Sequence, residues 1–256
     1  MKKEEVQEKN IIKDVKEIQA KKNIQPKEEN IEKEVLIDIE NLTRGYKESP
    51  EFIYDKFSFK LHKWDFAVLK WVSGSGKTTL VKFLLRQIKP PYKKIFYKKE
   101  DIARFSNREV QVYRRRMGVI FQDFKLIDWK NVYDNISYTL EMRGEKKKKI
   151  REMVEEALNK VQLQDRKDMI IPTLSWWEKQ RVSIARAIVS RPEFIIADEP
   201  TGNLDFETAK IIADILIDLN KQGNTILFIT HDMYLVEYMK NKLSNIREIE
   251  IWKKTK

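Results

Sequence analysis

The chain has no cysteine, which excludes disulfides and thiolate metal sites and fits a reducing compartment. No apolar stretch approaches the length of a membrane span, and no apolar core of a signal peptide follows the charged N-terminus. Neither a spanning helix nor an export signal is therefore expected. Glycine is scarce: seven in 256 residues, less than half the usual share of about 7%, in a chain whose turns should need more. Charge is plentiful and unbalanced, with 51 Lys and Arg against 40 Asp and Glu. That surplus attracts anionic lipid or nucleic acid, but a solvated, lysine-rich surface explains it more simply, with an anionic membrane face as the second reading. At 256 residues the chain is one large domain or two small ones, long enough for a real core.

Residues 1 to 33 are dominated by Lys and Glu and read as a disordered tail, because so few apolar residues cannot offset the entropy of ordering. Pro26 ends whatever weak amphipathic helix precedes it. From Val35 the texture changes. "VLIDIENLTRGY" and "FIYDKFSFKL" read as strands joined by a short turn, residues 106–117 and 145–163 as charged helices, and "FIIADEP" (194–200) and "TILFIT" (225–230) as buried parallel strands with a helix between them. Strands alternating with helices predict an α/β core. The helix-rich middle, about 123–190, reads as an inserted helical subdomain of a domain covering 34–256.

Four patterns carry chemistry. "SGSGKTT", Ser73 to Thr79, lies between a strand and a helix. Backbone amides of Ser73, Gly74, Ser75, Gly76 and Thr79, with the helix N-terminus, can bind phosphate oxygens. Lys77 would bridge the β- and γ-phosphates, and the Thr78 hydroxyl would hold Mg²⁺. The full pattern opens with glycine, and Trp71 stands there. In "FIIADEP" an apolar strand ends in Asp198 and Glu199, placing one acid beside the metal shell and the other where it can polarise water. "LSWWEKQR" offers Ser175 as a helix cap and Glu178 three residues on as its capping-box partner, with Arg181, Arg186 and Arg191 adding positive charge. "TILFITHD" puts His231 and Asp232 at the end of a buried strand, where His231 could sense the γ-phosphate and hold the attacking water.

Together these residues resemble the ATPase subunit of ATP-binding cassette transporters over about residues 35–256. The resemblance implies a P-loop α/β fold: a RecA-like core, an N-terminal antiparallel β subdomain and an inserted helical subdomain. It makes Tyr46 the aromatic that stacks on adenine, and Gln122, in "VIFQD", a contact to Mg²⁺ and to the water. Leu174 to Gln180 occupy the signature that closes over the partner subunit's ATP, so Ser175, Trp177 and Gln180 join the nucleotide site. Asp198 becomes the metal-binding acid, Glu199 the catalytic base and His231 the switch histidine, while "TGNLD" (201–205) becomes a dimer-interface loop. ATP hydrolysis with Mg²⁺ by a homodimer is implied, at the cytoplasmic face of the membrane and against an integral membrane partner, with no nucleic acid. The stretch "FSNREVQVYRRRMGVIFQDFKLIDWKNVYDNI" is most similar to the cell-division branch, whose partner is the permease FtsX. The lipoprotein-release and macrolide-export branches are similar there too.

The six tryptophans fit none of this. Trp176 and Trp177 stand on the two signature glycines, Trp71 on the first glycine of the phosphate loop, and Trp64 on a turn glycine. Trp129 and Trp252 lie in turn-like contexts that would accept glycine. Indoles there should block close approach, and overpacking costs a few kcal/mol even inside a forgiving core. If they are real, the chain is a nucleotide-binding scaffold without turnover. Erosion of an active ancestor should also have struck Lys77, Gln122, Asp198, Glu199 and His231, and all remain. The leading reading is that UGA codons meaning glycine have been read as tryptophan. Lys93 and Lys99, also where relatives tend to carry glycine, are genuine losses.

Overall fold

The computed structural model describes residues 33–45, 52–71 and 77–251. The expected disordered tail (apart from Lys33), Tyr46, expected to stack on adenine, the expected phosphate-loop residues Ser73–Gly76, and Trp252 lie outside them.

Two sheets organise the described chain. The first is antiparallel, in the order β2-β1-β4-β5, from β1 (Val35–Gly45), β2 (Phe52–His62), β4 (Ile95–Tyr97) and β5 (Glu100–Asp101). The second is wholly parallel, in the order β6-β7-β8-β3-β9. Its strands are β3 (Phe66–Trp71), β6 (Met117–Ile120), β7 (Phe194–Asp198), β8 (Thr225–Thr230) and β9 (Ile246–Ile251). Seven α-helices accompany them: α1 (Lys77–Leu84), α2 (Asn107–Arg114), α3 (Val132–Glu141), α4 (Lys147–Lys160), α5 (Trp176–Ile188), α6 (Phe206–Lys221) and α7 (Met233–Lys242).

Burial explains the apolar runs. Every residue of β8 is buried, as expected of a parallel strand covered on both faces. Alternate residues then feed two cores. Phe66, Val68, Ile195, Ala197, Ile226 and Phe228 pack with the helices α3 to α7, whereas Ala67, Leu69, Phe194, Ile196, Leu227 and Ile229 pack with α1 and the antiparallel sheet. Each such side chain contributes about 1.5–3 kcal/mol by leaving water, so truncating the fully buried Phe228 would cost roughly 3–5 kcal/mol.

The charged helix expected over 106–117 is shorter. It spans Asn107–Arg114, started by Ser106, whose N–H donates to the Glu109 carboxylate at 2.7 Å. Met117 instead opens β6, the edge strand beside β7. Gly118 explains the tight fit: a Cβ there would lie 2.4 Å from the Ala187 carbonyl oxygen, so only glycine lets β6 lie against α5. The stretch 123–190 contains α3, α4 and α5.

Candidate nucleotide site

The parallel sheet gathers the reactive groups. Its neighbours β6, β7, β8 and β3 run in the same direction, so their C-terminal ends lie along one edge, where open α/β sheets bind ligands. Gln122 follows β6, Asp198 and Glu199 close β7, His231 follows β8, and β3 leads through the phosphate loop to Lys77 at the start of α1.

The side chains meet there. The Lys77 ammonium lies 3.0 Å from Glu199 Oε1 and 3.6 Å from Asp198 Oδ1. His231 Nδ1 lies 2.7 Å from the same Glu199 Oε1. Glu199 is buried and held in the left-handed region at φ 47°, its N–H donating to the Ile229 carbonyl at 3.0 Å. A non-glycine residue in that region marks a position over-determined by its surroundings, as functional sites often are. One Glu199 oxygen is thus engaged twice. The other, Oε2, is buried with no hydrogen-bond partner among the described residues, and so is Asp198 Oδ1. Burial pushes the Asp198 carboxyl above its ordinary range, against the opposing pull of the Lys77 charge.

Gln122 is exposed, and its amide nitrogen would lie 3.1 Å from a Cβ on Gly202. The small residue in "TGNLD" therefore lets this side chain lie against the loop after β7. Two expected acids have structural roles: Asp205 caps α6 by accepting from Thr208 N at 3.0 Å, and Asp232 caps α7 by accepting from Leu235 N at 3.0 Å. Thr78 and Thr79 sit in the first turn of α1, the former exposed.

The N-terminus of α5 is a second group. Ser175 stands at its N-cap, where its N–H and hydroxyl donate to Glu178 Oε2 at 2.9 and 2.6 Å. Arg166 holds the other Glu178 oxygen at 3.1 Å. Trp176 packs edge-on against Phe124, and Trp177 lies beneath the Arg181 guanidinium at 4.0 Å. Gln180 is buried, both amide atoms without a hydrogen-bond partner among the described residues. Among those residues no hydrogen bond or ion pair joins Ser175, Trp177 or Gln180 to the strand-end group.

The arginines of this helix, and Arg191 just beyond its end, do not serve as spare positive charge. Arg181 donates to the Val161 and Gln162 carbonyls at 3.0 and 3.1 Å, and Arg191 to Glu156 at 2.6 Å. Arg186 donates to the Phe124 and Lys125 carbonyls, both at 2.6 Å, clamping the loop just after Gln122. Asn135 braces the same loop from α3. Its Oδ1 accepts from Ile127 N at 2.8 Å, and its Nδ2 donates to the Asn131 and Ile127 carbonyls at 2.9 and 3.1 Å. Both supports went unread in the sequence, although a polar Asn135 between the apolar Val132 and Ile136 was a visible signal.

The family model for ABC transporters matches residues 54–202. The chain belongs to the ABC transporter family. Among its ABC relatives, the cell division ATP-binding protein FtsE of Mycobacterium tuberculosis is 38% identical over 82% of this chain and 91% of that protein. FtsE of Bacillus subtilis is 35% identical over 83% and 93%, and that of Escherichia coli K12 is 38% identical over 78% and 90%. The dimeric ABC transporter cassette MJ0796 is similar in fold, with TM-score 0.71 and 26% identity over 84% of this chain and 94% of that one. cbiO1 from Clostridium perfringens, part of the cbiONQ complex, gives TM-score 0.73 and 26% identity over 80% and 82%. The expected architecture, a parallel core with an antiparallel sheet and added helices, is thus the ABC ATPase fold.

Proposed function

We propose that this chain is the ATP-binding and hydrolysing subunit of an FtsE-type membrane complex in bacterial cell division. It works as a homodimer docked to an FtsX-like membrane protein at the cytoplasmic face of the membrane. The names of its relatives and the dimeric cassettes support this reading, as does a cassette of the MJ0796 type captured after hydrolysis with ADP and Pi. Among the described residues no helix is long and apolar enough to cross a membrane, in keeping with a peripheral subunit.

The observation that carries the chemistry is the asymmetry of Glu199. Oε1 is held by Lys77 and His231, while the buried Oε2 has no hydrogen-bond partner among the described residues. That free oxygen is the one able to accept a proton from water attacking the γ-phosphate. His231 fixes the carboxylate's orientation. Lys77, released from the acids when phosphate enters, stabilises charge on the β- and γ-phosphates together with the amides of Ser73–Thr79. Tyr46 stacks on adenine. Ser175, Trp177 and Gln180, or the residues native to those positions, complete the site of the opposing protomer.

Mg²⁺ fits the donor set. No described group of three or more acidic, His or Cys side chains could hold a metal, whereas Mg²⁺ is held by one or two carboxylates plus substrate phosphates. Asp198, whose buried Oδ1 has the Lys77 ion pair but no hydrogen bond among the described residues, Thr78 and Gln122 would hold it, and when bound it would neutralise phosphate charge. The stretch Gln122–Asp134 and the helical subdomain, about 123–190, form the docking face for the membrane partner. Lipoprotein-release or macrolide-export chemistry is the alternative for the same site.

The test is ATPase activity of the protein purified from its own cells, beside Glu199→Gln made in the same cells, with an affinity pull-down for the membrane partner. Mg²⁺-dependent turnover lost in the variant, with an FtsX-like protein recovered, supports the reading. ATP binding without turnover in the unaltered protein would refute hydrolysis.

A further inference from the structure

The tryptophans are the part of the molecule that no function absorbs. Phe66, Phe83, Phe194 and Phe228 are all fully buried, whereas Tyr92, Tyr138, Phe206 and Tyr234 are exposed. The four tryptophans with described side chains are all exposed, Trp64 at 48%, Trp129 at 85%, Trp176 at 45% and Trp177 at 36%. Trp is on average a highly buried residue, so four of four outside the core is not what selection for an indole produces.

The backbone at Trp64 points the same way. It lies in the short connection between β2 and β3 with φ 69°, a region in which a bulky residue is a genuine outlier and glycine is at ease. Neighbours impose that conformation. Trp64 N donates to Thr225 Oγ1 at 2.8 Å, and its carbonyl accepts from Asn220 at 3.1 Å. The indole makes no hydrogen bond among the described residues and has Lys63 over its face at 5.0 Å. Trp71 occupies the first glycine of the phosphate-loop pattern that ends in Gly76, Lys77 and Thr78, where the missing side chain lets backbone approach phosphate. Trp176 and Trp177 put two adjacent indoles on the first turn of α5, the end of a helix suited to receive an anion. Left-handed backbone alone is not the mark, since Lys93 and Lys99 are also left-handed, at φ 56° and 69°. What sets the six apart is that one residue type, the largest, recurs at both signature positions, at the opening of the phosphate-loop pattern and in the left-handed turn at Trp64, while the strand-end groups stay intact.

We propose that glycine, not tryptophan, stands at positions 64, 71, 129, 176, 177 and 252 in the protein made by its own cells. The six codons are UGA, which one variant code reads as glycine and another as tryptophan. The native chain therefore has no tryptophan, and its glycines rise from 7 to 7 + 6 = 13. A codon-wide rule explains what six independent substitutions would not: the exchange is confined to a single residue type and reaches an exposed turn as readily as the nucleotide site.

Three measurements test this without using activity, so none depends on the proposed function. Tandem mass spectrometry of peptides from protein purified from its native cells should give a glycine residue mass at all six positions, and the intact protein should lack tryptophan fluorescence. The coding DNA should read TGA at all six. A tryptophan mass at any of them, or a TGG codon, overturns the proposal.

Discussion

Asn135→Ala should destabilise the protein by about 3 kcal/mol, and the bookkeeping can be made atom by atom. Asn135 is fully buried and makes three short hydrogen bonds into the loop ahead of α3. Two of its partners stay satisfied after truncation. The Asn131 carbonyl still accepts from the Asn135 N–H at 3.1 Å, and the Ile127 carbonyl from Lys130 N at 3.1 Å. Those two bonds are worth about 1 kcal/mol each in net terms. The Ile127 N–H is left without its acceptor, which adds roughly 1–3 kcal/mol less whatever water recovers. Asn131→Ala is the calibrating variant: it removes the cap that accepts from Asp134 N at 2.7 Å and should cost about 1 kcal/mol. Urea unfolding of both variants against the parent measures the differences. A loss under about 1 kcal/mol for Asn135→Ala, or one no larger than for Asn131→Ala, would refute the claim that this side chain holds the loop after Gln122.

Other perturbations read the site directly. Glu199→Gln should lower turnover by roughly 10²–10⁴-fold, the usual weight of a general base, with ATP affinity retained by equilibrium titration; wild-type turnover would remove Glu199 from the chemistry. Lys77→Ala should instead weaken ATP binding itself, read by the same titration, because the cation facing both acids is the one offered to phosphate. Glu193 supplies a pH signature. Burial pushes its carboxyl up, but Lys98, Tyr97 and Arg116 outweigh this and hold it below its ordinary 4.5. A depressed carboxyl contributes stability above its unfolded value and loses it as pH falls through the folded one. Glu193→Gln should thus lower the melting temperature at pH 7, and the gap should shrink as the pH falls below 4.5 and through the lower folded value; a gap that persists in strong acid would contradict the ion-pair assignment. Arg186→Ala should loosen the Phe124–Lys125 loop, raising amide exchange there more than in α6, and equal rates would argue against the clamp.

What could be read from the sequence followed the length scale of the physics. The convergence of Lys77, Asp198, Glu199 and His231 was legible in "SGSGKTT", "FIIADEP" and "TILFITHD" because the chemistry expected of each needs particular residue types within a few positions. β7 and β8 were legible because a strand buried on both faces must be apolar throughout. The two-residue β5 carries only Glu100 and Asp101 and offers no period to detect. Met117, the first residue of β6, was taken into the preceding helix, since "YRRRM" continues a charged pattern and nothing local announces the β6–α5 contact that Gly118 permits. Arg186 looked like charge to be counted, yet its acceptors lie 61 and 62 residues away. Reach across the fold is invisible to spacing.

The parallel sheet that aligns these groups also determines where the protein can change. Neighbouring strands lie about 4.8 Å apart, so Gln122, the acid pair and His231 each follow a separate rung of a single ladder. Their lateral spacing is set by strand pairing, not by the lengths of the segments between strands. The entire excursion between Ile120 and Phe194, with its three helices, can therefore lengthen, shorten or be recut for a different membrane partner without moving an acid relative to the histidine. A single residue lost inside β7 would turn every side chain of that strand to the other face and separate the acids from Lys77. Variation is thus tolerated in the excursions and opposed in the strands, so one catalytic edge can be coupled to many kinds of work.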